Sequence, residues 1–115
     1  MEDQVYAVRR AAGCVVVAVT GVLDLVTAPA VRLALEQELD AGARQLVLDL
    51  TGVRFLDSTA LGMLVWLRSE LLGRGGAVAL ATTAPIVLKV LRLASMDQLI
   101  PIFDRVEAAE EAVTR

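Results

Sequence analysis

The residues able to do chemistry are few: Asp24, Asp49, Asp57, Ser58, Thr59 and Cys14, in a chain of 115 residues that has no histidine. Without histidine there is no Ser–His or Cys–His pair to activate a nucleophile, and the commonest metal ligand is missing. No G-x-S-x-G elbow or Walker A loop is present, and Gly73-Arg74-Gly75-Gly76 follows a helical pattern instead of opening one, so it reads as a turn. The carboxyl ends of parallel strands gather at one edge, where Asp24, Asp49 and Asp57 could pair to hold Mg²⁺ or to do acid–base work. Local chemistry offers a simpler use. Asp57 precedes a helix whose free N–H groups it can cap, and Asp24 sits in a turn that favours aspartate. Cys14, flanked by Val15, Val16 and Val17, has no disulfide partner and reads as a small buried core residue.

Ser58 and Thr59 are the excess. A cap needs one side chain, yet Asp57, Ser58 and Thr59 stand in a row after Phe55-Leu56, in the loop after a central strand, where α/β sheets place their ligand sites. On local chemistry alone, an N-cap and a functional hydroxyl both remain open.

The elements that position these residues follow from periodicity. Val5–Arg9 and Cys14–Thr20 read as β-branched strands of a hairpin. Pro29 fits the first turn of a helix that carries Val31, Leu35 and Leu39 inward and stops at Gly42. Gln45–Leu50 is a central strand with Asp49 near its carboxyl end. Thr59–Leu72 is a second helix, with Leu61, Leu64, Val65, Leu71 and Leu72 on one inward arc and Met63 and Trp66 on the opposite one, where they suit a contact patch near Ser58. Arg68 falls on the inner arc and must snorkel outward. Ala77–Ala81 is a strand, Thr82-Thr83-Ala84-Pro85 reads as a capping residue with Pro just inside the helix Ile86–Leu93, Leu99–Phe103 is the last strand, and Val106–Val113 a terminal helix. The order β-β-α-β-α-β-α-β-α predicts an α/β fold: a mixed, mostly parallel sheet of about five strands with about four helices packed on it.

Composition narrows the class. The chain is 57% hydrophobic but only 3% aromatic, which calls for an aliphatic core, and its length fits one domain over residues 1–115. Every apolar run is broken well short of the roughly 20 residues that span a bilayer. The acidic Met1-Glu2-Asp3-Gln4 start lacks the features of a signal peptide, so a cytoplasmic protein with no membrane contact is expected. A net charge of −3 without a Lys/Arg cluster argues against direct nucleic-acid binding.

The stretch Leu46-Val47-Leu48-Asp49-Leu50-Thr51-Gly52-Val53-Arg54-Phe55-Leu56-Asp57-Ser58-Thr59-Ala60-Leu61-Gly62 resembles the signature of STAS domains, in particular of bacterial anti-sigma factor antagonists. There a VLDL strand is followed by a short buried loop and then D-S-[ST]-G-L-G opening a helix. Gly21-Val22-Leu23-Asp24 with Thr27-Ala28 is similar to the family's G-E-L-D…T-A segment, and Leu91 to Ile102 to the segment leading into its last strand. The chain departs from the pattern at Val22 where the family has Glu, at Ala60 where it has Gly, and at Ser95 where Gly is common.

The resemblance implies a STAS fold and a partner switch without catalysis of its own. An unphosphorylated antagonist binds an anti-sigma factor that is also a serine kinase and so frees a sigma factor. The kinase, with its own ATP and Mg²⁺, phosphorylates Ser58 and the complex parts; a serine phosphatase restores the binding form. No cofactor is expected on this chain, and a homodimer stays open. The expected partner-binding set is Asp24, Asp57, Ser58, Thr59, Ala60, Met63 and Trp66, with Ala60 expected to crowd a closely approaching partner. The alternative use of the same fold is as an accessory or scaffold subunit of a transport system or a larger signalling complex.

Overall fold

Gly13, at φ +83°, closes the two-residue turn that joins β1 (Tyr6–Ala11) to β2 (Cys14–Leu23), a backbone conformation that a residue without Cβ adopts at no steric cost. The computed structural model describes residues 5–115, so the acidic start at 1–4 lies outside the described residues. The elements that follow are α1 (Ala28–Asp40), β3 (Gln45–Leu56), α2 (Ser58–Gly73), β4 (Ala77–Ala81), α3 (Pro85–Leu93), a 3₁₀ turn (Met96–Gln98), β5 (Ile102–Phe103) and α4 (Val106–Thr114). Element types and order agree with the sequence expectation. Several boundaries do not: β2 runs on to Leu23 instead of Thr20, β3 to Leu56 instead of Leu50, and β5 shrinks to two residues because Leu99 follows the 3₁₀ turn.

The sheet order is β1-β2-β3-β4-β5, with β1 antiparallel to β2 and the other pairs parallel. Each crossover moves to the next strand in the same direction, and right-handed connections then place α1, α2 and α3 on one face. The packing agrees: Leu46, Leu48 and Leu50 of β3 meet Leu35 of α1, Leu64 and Leu67 of α2 and Leu91 of α3 in one core. The alternate residues Val16, Val47, Ala79 and Ala81 point to the other face, where α4 lays Ala109 and Val113 against them in a thinner layer. Because the strand order never reverses, the fold has no topological switch point, the crevice where open α/β sheets hold nucleotides. Among the described residues no helix is long and apolar enough to cross a membrane.

One irregularity positions the site. β4 pairs with β3 only along Gln45–Asp49, whereas the β2–β3 pairing continues to Leu23↔Leu56, with register shifts between Ala18 and Thr20 and between Gly21 and Val22. Past Asp49, β2 and β3 therefore continue as a two-stranded ribbon that carries residues 57 and 58 away from β4. This also corrects Asp49, which lies in mid-strand opposite Ala18 and Ala81 and not at the carboxyl end. Its Oδ1 accepts from the Thr51 amide at 2.9 Å and the Thr51 hydroxyl at 2.6 Å, a local use that keeps it apart from Asp24 and Asp57.

Helix α2 is rotated from its expected setting. Ala60, Met63, Leu64, Leu67 and Leu71 are buried, while Val65 and Leu72, expected inside, are exposed. The helix is apolar around most of its circumference, so sequence periodicity leaves the centre of its buried arc undetermined. Met63 thus belongs to the core, not to an open contact patch. Arg68 does reach outward, its Nε donating to the Leu99 carbonyl at 2.9 Å. Cys14 is buried as expected, and desolvation pushes its thiol pKa up.

The turn from α2 into β4 is the tightest point. A Cβ on Gly76 would stand 2.1 Å from the Arg44 carbonyl oxygen, backbone that cannot step aside, whereas nothing lies within 4 Å of a Cβ on Gly73. Gly76→Ala should destabilise the fold by about 3 kcal/mol, at the upper end of overpacking costs. Gly73→Ala should be neutral or stabilise by up to about 1 kcal/mol. Urea unfolding of the two variants tests the contrast.

Candidate functional site

The site is built where the β2–β3 ribbon ends. Asp57 is extended at φ −115°, ψ −171°, and is the N-cap of α2: its Oδ1 accepts from the Ala60 amide at 3.1 Å. Its other oxygen, Oδ2, accepts from the Leu25 amide at 3.2 Å, and the Asp57 amide donates to the Leu23 carbonyl at 3.2 Å. One carboxylate therefore ties the start of α2 to the β2–α1 loop. The expected capping role holds, with a second bond across to another segment.

Asp24 organises that loop. Its Oδ1 accepts from the amides of Val26 at 2.9 Å and Thr27 at 3.1 Å. Its own amide donates to Thr27 Oγ1 at 2.9 Å, and the Thr27 hydroxyl donates to the Val22 carbonyl at 2.7 Å. The Thr27 amide above all, with desolvation opposing it and the Val26 amide assisting, holds the Asp24 carboxyl below the usual aspartate range. Asp24 and Asp57 thus share a neighbourhood, but their oxygens are used on backbone N–H groups. Among the described residues no group of three His, Cys, Asp or Glu side chains could hold a metal ion.

With the cap supplied by Asp57, the Ser58 hydroxyl is not needed for it. Ser58 is the first residue of α2 and exposed; Thr59 is half-buried. Ala60 is fully buried, so its methyl faces the core, and the expectation that it crowds a partner is corrected. Trp66 is partly buried against the core and its ring is covered by the Arg32 guanidinium, whose central carbon lies 4.1 Å from the ring centroid.

Sequence reasoning missed the exposed apolar side chains on the segments that flank Asp57 and Ser58. Leu25 and Val26 are 70% and 81% exposed on the loop that Asp57 anchors, and Phe55 is 44% exposed at the end of β3. Large apolar side chains left in water at one end of a sheet are the kind of surface that interaction sites present. The available signal was Leu25-Val26 between Asp24 and Thr27, two large apolar residues in a turn where polar ones are usual. Beside them a groove of about 440 Å³ opens between α1 and α2, bordered by Ala28, Pro29, Arg32, Thr59, Gly62 and Met63. A concavity of about 500 Å³ bordered by Thr82, Arg92, Asp97 and Asp104 lies elsewhere, between β4, α3 and β5, and shares no residue with the Ser58 surroundings.

Asp57→Ala removes the cap and the anchor of the β2–α1 loop together and should cost about 1 to 2 kcal/mol in chemical unfolding. For Asp24 the bonds favour the ionised form, so its stabilisation is present above the ordinary aspartate range and is lost as pH falls through the depressed value beneath it. Asp24→Asn should accordingly show a shallower loss of stability than wild type below about pH 4 in an acid unfolding series.

Comparison with known proteins places these features. A family model described as STAS domain matches residues 6–109. A STAS-domain-containing protein of Pseudomonas aeruginosa is 41% identical over 59 residues, 51% of this chain and 58% of that one, so the match spans little more than half of that relative's length. A protein of Thermotoga maritima described as an anti-sigma factor antagonist is 31% identical over 80 residues, 70% of this chain and 71% of that one. Among solved structures, that of an anti-sigma factor antagonist from Mycobacterium paratuberculosis superposes with a TM-score of 0.89 at 29% identity, covering 96% of this chain and 93% of the other.

Proposed function

We propose, from the premise that the chain belongs to the STAS domain family, that it is an anti-sigma factor antagonist whose hold on its partner is switched by phosphorylation of Ser58. The observation that carries this reading is the division of labour at the start of α2. Asp57 caps the helix, which leaves the Ser58 hydroxyl exposed and unengaged beside the carboxylate that anchors the loop exposing Leu25 and Val26. The relatives from Thermotoga maritima and Mycobacterium paratuberculosis share the antagonist description, which favours this reading over a transport subunit.

In this reading the unphosphorylated surface binds an anti-sigma factor that is also a serine kinase, and so frees the sigma factor. Leu25, Val26 and Phe55 bury apolar area against the partner, and the groove between α1 and α2 takes a partner side chain. Asp24 and Asp57 hold the loop and helix in register, while Thr59 and Trp66 line the flank. The kinase brings ATP and Mg²⁺. The Ser58 oxygen attacks the γ-phosphorus, the kinase takes the hydroxyl proton, and ADP leaves with the electrons of the broken P–O bond. A serine phosphatase later returns the hydroxyl by hydrolysis.

Release follows from local electrostatics. The phosphate adds about −1.5 to −2 charge at the head of α2, where helix N–H groups and the dipole tolerate it in water. Against a partner the same charge is desolvated and lies beside the Asp57 carboxylate. A penalty of about 4 kcal/mol weakens binding about a thousandfold, so no change of fold is needed.

Incubation with the cognate kinase and ATP followed by mass spectrometry should place one phosphate on Ser58. In a binding titration Ser58→Ala should bind as wild type and resist release by ATP, while Ser58→Asp should bind at least about tenfold more weakly, a loss of about 1.4 kcal/mol. Phosphate found elsewhere, or Ser58→Asp binding undiminished, would overturn the reading.

A further inference from the structure

Arg32 stands at the edge of the groove between α1 and α2. It is an exposed residue of α1, yet its guanidinium is folded down over the Trp66 ring, 4.1 Å from the centroid, with Nε donating to Glu36 Oε2 at 3.2 Å. Both restraints are weak ones at a surface: Arg32 and Glu36 side chains are each nearly half exposed, and an i,i+4 pair in water exchanges readily. Helices α1 and α2 both return between parallel strands, so they run side by side with their first turns together. Across the groove, Ala28, Pro29 and Arg32 face Thr59, Gly62 and Met63. The four residues from Ser58 to Gly62 rise only about 6 Å along α2, the scale of an extended arginine side chain.

We infer that Arg32 is the counter-ion for a phosphoryl group on Ser58. On phosphorylation the guanidinium leaves Trp66 and Glu36, turns toward the head of α2 and takes two phosphoryl oxygens in the bidentate geometry that suits it. A dianion offers it far more than one exposed carboxylate and a ring face. The other arginine near the ribbon, Arg54, lies over β2, its Nη1 3.9 Å from where a Cβ on Gly21 would stand. Turned toward Ser58, Arg32 also closes the groove, so the phosphorylated surface loses its opening for a partner side chain besides gaining charge. The switch then has a steric part as well as an electrostatic one.

This inference rests on the reading of Ser58 as the phosphorylated residue, and its test is made independent of any kinase by building phosphoserine into position 58 during translation. Trp66 is the one tryptophan in the sequence, so its emission reports the departure of Arg32 without labelling. Phosphorylation should change that emission in the wild-type background and leave it unchanged in R32Q. In ³¹P titrations the second phosphate pKa should be lower in wild type than in R32Q by about half a unit, with R32K between them. Asp24, Asp57 and Arg54 act on the phosphate equally in all three proteins, so the difference isolates residue 32. An equal emission change in R32Q, or the same phosphate pKa with and without the arginine, would overturn the inference. Failure of the functional reading would appear elsewhere, as kinase binding that phosphoserine at 58 does not weaken.

Discussion

The Asp57 carboxylate is the constraint on which the rest of the site depends. Its two oxygens serve two different segments, the Ala60 amide of α2 and the Leu25 amide of the β2–α1 loop. A serine at this position could cap the helix but would offer a single oxygen, so the loop would lose its anchor. Because aspartate does both, the next residue is released from structural duty, and Leu25 and Val26 are held out beside it. The neighbouring Asp24 turn finishes the work by satisfying its own loop amides, which removes the backbone's reason to reach for Ser58.

The fold was legible because it is written in apolar runs and punctuation. Nearly continuous apolar runs at Cys14–Thr20 and Gln45–Leu50, Pro29 and Pro85 inside helix starts, and Gly42 and Gly76 at turns each carry one local meaning, and all agree with one topology. What was not legible is where tertiary context decides. The ribbon beyond Thr20 and Leu50 exists because β2 and β3 pair with each other after β4 has ended, a fact about two distant segments that neither discloses alone. The rotation of α2 was hidden for a different reason. With Leu61, Met63, Leu64, Val65, Trp66, Leu67, Leu71 and Leu72 all apolar, many settings bury a similar area, and the sheet selects the one that buries Met63 and Leu67 and leaves Val65 and Leu72 in water.

For the site, residue type was readable and environment was not. Asp57 as cap and Asp24 as turn former follow from propensity. The exposure of Leu25, Val26 and Phe55 and the burial of Ala60 depend on which way the ribbon and helix face. The correction at Ala60 has a physical corollary. Its methyl enters the core and favours helix over glycine by up to about 1 kcal/mol, so the departure from the family pattern acts on stability of the first turn, beneath the exposed surface.

The unidirectional march of the strands gives the molecule two unlike ends. Ser58, the β2–α1 loop and the head of α2 lie together at the carboxyl ends of the parallel strands. The turns at Gly13, Gly42 and Gly75, each with positive φ, lie at the opposite end. The exposed Ser58 hydroxyl and the chain reversals are thereby segregated in space. A substitution in the reversal turns acts on the architecture, and one around Ser58 acts on exposed surface, so the two poles can be altered separately.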